Sequence, residues 1–382
     1  MMKPISGNGG GFFIFEKSLM KKAISSFLII GAVLLIETPA FGEVISIPVP
    51  QFPDPSLFGR PPVPGMPPNV GQPIVPDIQC IEPDYVSFVK KLEAIPENKI
   101  DVGLVALKLA KDIHPKLNIK AYSAKIDKLA ARAKTLANGS ALPNIKVGCI
   151  NTVLFKEEGL RYNFSDPLGE NIDTELISGV LDSQKGSCYS LPLVYLAVAQ
   201  RLGYPIYPVI APQHVFLRYV DPSYTMQNIE PTFKGFYTSD ETYIETFHIT
   251  PKQIKTGAYL RTLTYKEYLG EMIACNGEYW YNNGDYDRGL YYTAAARRLF
   301  PKSADICKMF GYYLISQSKY ALAGQDAIET RKSGEWCLKK AEEMGVTHLT
   351  GEDYLKDLAK YSGEHEELRQ YLDKRKSKGA KK

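Results

Sequence analysis

The stretch from Leu191 to Ala199 carries no charge and is apolar at nearly every position. A helix built from such a run has no face to give to water, so it must be covered on all sides. It is bounded in front by Gly186-Ser187-Cys188-Tyr189-Ser190 and behind by Arg201-Leu202-Gly203, a start and a glycine stop. Downstream, Ile206 to Ile210 and Val215 to Val220 are rich in β-branched and aromatic residues and read as adjacent strands. Asp221-Pro222-Ser223 then turns the chain toward a third strand ending at Asn228-Ile229-Glu230. The predicted fold class is therefore α+β, with a buried helix that opens at a cysteine and packs on an antiparallel sheet.

The flanking sequence divides into segments of different character. Lys21 and Lys22 precede an apolar run from Ala23 to Ile36, and Ala40-Phe41-Gly42 supplies small residues before Glu43, so residues 1–42 read as a cleavable signal peptide. Met20, directly before the lysines, is the more usual starting point for such a signal. The run is short for a membrane span and no stop-transfer pattern follows it, which gives a periplasmic or secreted protein; the competing reading is an uncleaved anchor. Prolines recurring from Pro48 to Pro76 make residues 43–79 a semi-rigid linker. In residues 80–150, Val105, Leu109 and Ile113 share one helix face before His114-Pro115, and Tyr122, Ile126, Leu129, Ala133 and Leu136 share another until Asn138-Gly139. His114 reads as a surface or capping residue. Residues 151–268 form the core just described.

Residues 269–374 are helical again and carry an internal repeat. Gly277, Trp280, Gly284-Asp285-Tyr286-Asp287, Ala296 and Pro301 fall at tetratricopeptide positions, with Gly289 where that repeat has alanine. Gly311, Tyr320, Ala323 and Ala341 match a second unit once an insertion around Asp326 to Gly334 is allowed. Glu352 to Lys374 supplies a closing helix, and residues 375–382 form a basic tail.

Cys188 and His214 are the candidate chemistry. A cysteine attacks as the thiolate, which a helix N-terminus and a neighbouring imidazole both favour. Cys188 sits at a helix start, where unpaired N–H groups also face a developing oxyanion. His214 opens the second strand, 26 residues later. A third polar group is required to hold the ring by its other nitrogen. Glu230 is the candidate; Asn228, two residues away and on the same strand face, and Asp221 at the turn compete for the role. Tyr189 reads as aromatic packing and Gln184 as a surface amide.

Other chemistries find no foothold. The balance of 46 basic against 42 acidic residues, without long charge runs, argues against a nucleic-acid partner. Cys80, Cys149, Cys188, Cys275, Cys307 and Cys337 include no close pair of the Cys-x-x-Cys kind, so neither metal nor cofactor is expected; in an oxidising compartment those other than Cys188 are open to disulfide pairing that spacing does not assign. There is no His-Glu-x-x-His site, phosphate loop or Gly-x-Ser-x-Gly elbow, and His248, His348 and His365 have no partner at a telling spacing.

Taken together, Asn151 to Phe155 with Glu158-Gly159-Leu160, Lys185 to Pro192, Tyr195-Leu196, Arg201 to Pro205 and Pro212 to Arg218 resemble the transglutaminase-like SirB family over about residues 100–275. The resemblance implies a papain-like core with Cys188 as nucleophile and His214 as base, followed by helical repeats. Asn228-Ile229-Glu230-Pro231-Thr232 lies where relatives carry an Asp-Pro-Thr-like stretch, so Glu230 replaces the usual acid. The expected function is attack on an amide, a peptide bond or glutamine side chain, by hydrolysis or acyl transfer, with a protein or peptide as substrate. The fold is shared by proteases, transglutaminases, amide hydrolases and inactive descendants. The rival expectation is therefore a silent core whose helical repeats bind a protein or peptide.

Overall fold

A computed structural model describes residues 82–320, 325–360 and 362–379. The signal peptide, the proline-rich linker, Cys80, Ala323 and the last three lysine-rich positions lie outside these residues. Among the described residues no helix is long and apolar enough to cross a membrane.

The chain is mostly helical around a small antiparallel sheet. Four helices come first: α1 (Asp84–Glu93), α2 (Val102–Ile113), α3 (Ile119–Ala137) and α4 (Pro143–Asn151), the last continuing as a widened turn over Thr152–Glu157. Local chemistry sets their ends. The Asp101 side chain accepts from Leu104 N–H at 2.9 Å to start α2, and Asn118 caps α3 through Ala121 N–H at 3.1 Å. Asn138, left-handed at φ 46°, then stops α3. His114 ends α2 and pairs with Asp173 at 2.9 Å on the surface.

A minimal parallel pair, β1 (Arg161–Tyr162) with β2 (Lys185–Gly186), brackets α5 (Ile172–Glu175) and α6 (Ile177–Ser183). Next comes the apolar helix α7 (Ser190–Arg201), buried at every position from Ser190 to Ala199. Its neighbours explain that composition. α2, α3 and α6 cover one side, and the sheet β3 (Ile206–Ala211), β4 (His214–Tyr219), β5 (Asn228–Ile229) covers the other. α2 approaches so closely that a Cβ on Gly103 would stand 2.8 Å from Ala197 Cβ. The Gln200 side chain seals the contact, accepting from Val102 N–H at 2.8 Å and donating to Ile100 O at 3.1 Å. Helices before residue 151 thus share one continuous core with α7.

β3 and β4 pair antiparallel from Ile206 opposite Tyr219 to Ala211 opposite His214. The connecting turn is Pro212-Gln213, with proline first and Gln213 at φ 56° second, the pattern of a type II turn. After α8 (Asp240–Thr246) and α9 (Pro251–Thr256), two helical hairpins follow: α10 (Tyr265–Asn282) with α11 (Tyr286–Leu299), and α12 (Ala304–Tyr320) with α13 (Gln325–Met344). Each hairpin crosses at facing glycines. A Cβ at Gly289 would lie 2.8 Å from Gly277 O, and one at Gly334 2.8 Å from Gly311 O. Asp326 to Gly334, read as an insertion, is instead helical and lengthens the second hairpin's arms, which makes Gly334 the counterpart of Gly289.

The first hairpin packs on α1 and α2. Trp280, Arg288 and Tyr292 all converge on the carboxylate of Asp112, with Trp280 Nε1 at 2.8 Å and Tyr292 OH at 2.9 Å, so these aromatics are consumed by packing. The second hairpin covers the far face of the sheet around Phe216, Tyr243, Phe247 and Phe310. α14 (Gly351–Ala359) and α15 (Glu366–Gly379) close the chain.

Candidate active site

Cys188 lies just before the assigned start of α7, yet the hydrogen bonds begin earlier. Ser187 Oγ accepts from Tyr189 N–H at 3.0 Å and Ser190 N–H at 3.2 Å, Ser190 Oγ accepts from Ser187 N–H at 2.9 Å, and Leu191 N–H reaches Ser187 O at 3.2 Å. This reciprocal serine cap makes Ser187 the physical N-cap and Cys188 the first residue of the turn. The Cys188 N–H donates no hydrogen bond among the described contacts. A free donor at the positive end of a helix, attached to the thiol-bearing residue itself, is suited to receive a developing oxyanion.

The Pro212-Gln213 turn brings His214 to the same end of the helix. Its Nε2 lies 2.7 Å from Glu230 Oε2, with both side chains buried. Glu230 is itself fixed: Oε1 accepts from Thr232 N–H at 2.9 Å and Thr232 Oγ1 at 2.6 Å, and Oε2 accepts from Tyr243 OH at 2.8 Å. Phe247 stacks on the ring at 5.1 Å. With Nε2 occupied, Nδ1 is buried and has no hydrogen-bond partner. The Cys188 thiol is close enough to make the ring more basic but donates to Gln213 O at 3.5 Å. Catalytic hydrogen bonds are often loose before substrate enters.

The electrostatics follow from this arrangement. Burial opposes a charged imidazole, but the Glu230 carboxylate and the Cys188 side chain outweigh it, and the pKa of His214 rises from 6.5 to about 10. Burial likewise opposes the charge on Glu230, and His214, Thr232 and Tyr243 together hold its carboxyl below the usual range. The ring is therefore an imidazolium at neutral pH, locked by one nitrogen and presenting the other.

Of the residues that competed to hold the ring, Glu230 does so and the others do not. The Asn228 side chain accepts from Arg218 Nε at 2.8 Å and donates to Asp240 Oδ1 at 2.7 Å, anchoring β5 to β4 and α8 instead. Strand alternation paired Asn228 with Glu230, but β5 ends at Ile229 and the chain turns at Glu230, which redirects its side chain. Asp221 bonds Ser223 at the opposite end of β4 from His214. Gln184 is exposed in a left-handed turn. Tyr243 on α8 and Phe247 at its C-terminal cap escaped sequence reasoning because nothing local ties that helix to His214. Pro231-Thr232 after Glu230 was the available signal for a capped turn.

A half-buried carboxylate supports the cysteine turn. Glu175 Oε2 accepts from Ser187 Oγ at 2.8 Å. Burial, opposed by that bond and helped by Asp166, raises its pKa from 4.5 to about 7. A carboxyl raised on folding adds stability below its unfolded value and loses it as pH rises through about 7. Glu175→Gln, whose amide oxygen still accepts from Ser187, is expected to match the wild type at pH 5 and to exceed its stability by about 1–2 kcal/mol at pH 9, read from urea midpoints. Equal midpoints at both pH values would show that this carboxyl is not strained.

The C-terminal arm borders the same cleft. Leu349 O accepts from Gln213 Nε2 at 2.7 Å, and Tyr354 OH meets Tyr162 OH at 2.9 Å. Burial and the neighbouring Cys188 both push the Tyr354 hydroxyl's pKa up. Glu367 binds Lys185 at 2.8 Å and Arg161 at 3.4 Å, and His365 stacks on Phe164. Glu367→Lys sets a cation against two others. It is expected to lower amide-exchange protection over α14 and α15 and to speed alkylation of Cys188 by about 1.5–5-fold, the equivalent of one surface ion pair; an unchanged rate would mean the arm leaves the thiol open.

A helix-capped thiol beside an imidazole held by a buried carboxylate has the parts of a thiol-nucleophile site. Residues 120–273, which contain all of them, match the family model described as the transglutaminase-like superfamily. No curated protein and no solved structure matches the chain. Among the described residues no cluster of His, Cys, Asp or Glu would hold a metal ion.

Proposed function

We propose that this protein is a thiol enzyme of the transglutaminase-like type, with the papain-like core and SirB-family kinship that the sequence motifs imply, acting outside the cytoplasm on an amide of a peptide or protein. The observation that carries the reading is the 2.7 Å bond from His214 Nε2 to Glu230, which leaves Nδ1 free at the thiol end of α7. In this reading the Cys188 sulfur attacks the amide carbonyl while the imidazolium stabilises its negative charge. The Cys188 N–H receives the oxyanion, and His214 protonates the departing nitrogen to leave a thioester. The neutral ring then takes a proton from water, giving hydrolysis, or from an amine, giving acyl transfer. Glu230, fixed by Thr232 and Tyr243, keeps the ring in one orientation throughout.

The test is alkylation of the folded protein with iodoacetamide from pH 5 to 9, followed by intact mass, for wild type, Cys188→Ala and His214→Ala. Selective modification of Cys188 that depends on His214 supports the enzyme. Labelling at Cys188 no faster than at Cys149, and indifferent to His214, returns the protein to the rival class, a silent core with helical hairpins that bind a partner.

A further inference from the structure

Cys307 on α12 and Cys337 on α13 take no part in the site above. Their helices cross at Gly311 and Gly334, where an added Cβ would stand 2.9 and 2.8 Å from the opposite carbonyl oxygen. Only glycine lets two helix backbones approach so closely. Cys307 lies about one turn before Gly311 and Cys337 about one turn after Gly334, so in an antiparallel pair they meet side by side next to the crossing. The contacts agree. Cys307 Sγ is 3.3 Å from Cys337 O, and the Cys337 Cβ is 3.1 Å from a Cβ built on Gly311. Both residues are buried and both are free thiols.

We propose that Cys307 and Cys337 are a disulfide-forming pair, closed by a disulfide oxidant when the protein folds in an oxidising compartment. A disulfide requires Cα atoms within about 4.4–6.8 Å, a separation that ordinary helix packing at 8–10 Å seldom gives but a glycine crossing does. One of the two cysteines attacks the oxidant as its thiolate and displaces one thiolate from it, forming a mixed disulfide. The other then gives up its proton and attacks the cysteine sulfur of that mixed disulfide, releasing the second thiolate. The protein loses two hydrogens and the oxidant gains them as two thiols. Because both sulfurs are covered in the folded protein, exchange takes place before α13 docks on α12 or when the hairpin opens.

The clamp would tie together the hairpin that leads into the C-terminal arm and so into Tyr354. The pairing stands on the hairpin alone and does not depend on Cys188 being a nucleophile.

The experiment uses the full chain carrying Cys188→Ala, unfolded and refolded with either oxidised glutathione or dithiothreitol, then denatured and alkylated. The oxidised sample is expected to weigh about 2 Da less before alkylation. Cys307 and Cys337 should escape the alkylating agent, and one peptide should join them. Its melting temperature should exceed that of the reduced sample by about 4–8 °C, returning to the reduced value with dithiothreitol. Cys307→Ala, which keeps a small apolar side chain, should expose Cys337 to alkylation in the oxidised sample. Complete alkylation of both cysteines after oxidative refolding would overturn the proposal, as would cross-links that join either one to a different cysteine.

Discussion

Glu230→Ala is expected to lower stability by about 3–5 kcal/mol at pH 6, the range for breaking a buried ion pair by removing one partner. Four groups lose their acceptor at once: His214 Nε2, Thr232 N–H, Thr232 Oγ1 and Tyr243 OH. His214 and Tyr243 are buried, so their donors are left without a partner where water does not readily reach. The effect also has a pH signature whose sign follows from the two shifts. His214 is raised from 6.5 to about 10, so its contribution is complete below about 6.5 and is lost as pH climbs through about 10. Glu230 is lowered from 4.5, so its contribution is complete above about 4.5 and is lost as pH falls through the depressed value. The stability difference between wild type and Glu230→Ala should therefore peak between about pH 4.5 and 6.5 and shrink on both sides. Urea denaturation of the two proteins at pH 3, 6 and 10 measures it. A difference that stays constant across this range would mean that His214 and Glu230 do not face each other as a charged pair.

His214→Ala is expected to slow alkylation of Cys188 at pH 6 by about 10²–10⁴-fold, the usual weight of one positioned acid–base group. The imidazolium is the only cation placed against the sulfur by the contacts described, and its proton is held tightly because Glu230 sits behind it. The helix N-terminus and the free Cys188 N–H remain in the variant, so some reactivity above that of a surface thiol should survive. Glu230→Gln should fall between the two, because it removes the charge that raises the ring's pKa but keeps the side chain's volume. Rates for Cys149 and Cys275 in the same samples control for loosening of the fold. A His214→Ala protein that labels at the wild-type rate would leave Cys188 a buried thiol without an activating partner.

Much of the site was legible in the chain. The uncharged run after Cys188 demanded a helix covered on every side, and α7 is buried from Ser190 to Ala199. The runs Ile206 to Ile210 and Val215 to Val220 were legible as adjacent strands, and His214 stands where they meet as β3 and β4. Glu230 was legible only as one of three choices, since alternation along a strand treats Asn228 and Glu230 alike. The distinction arises because β5 ends and the chain turns between them. Tyr243, Phe247, Glu175 and Tyr354 carried no local signal at all, because each acts through a partner far along the chain.

The sequence by itself determined what its local periodicity and caps encode: which segments are helices, where Asn138 and the Ser187 cap bound them, and that a cysteine and a histidine lie at the ends of neighbouring elements. Only the tertiary structure decided which carboxylate holds the ring, which residues hold that carboxylate, and that α12 and α13 bring two distant cysteines together. The physical reason is the range of each interaction. Helix period, turn geometry and capping act over a few residues and leave their mark in adjacent letters. Burial and charge pairing act through space, between segments whose meeting depends on how the whole core packs.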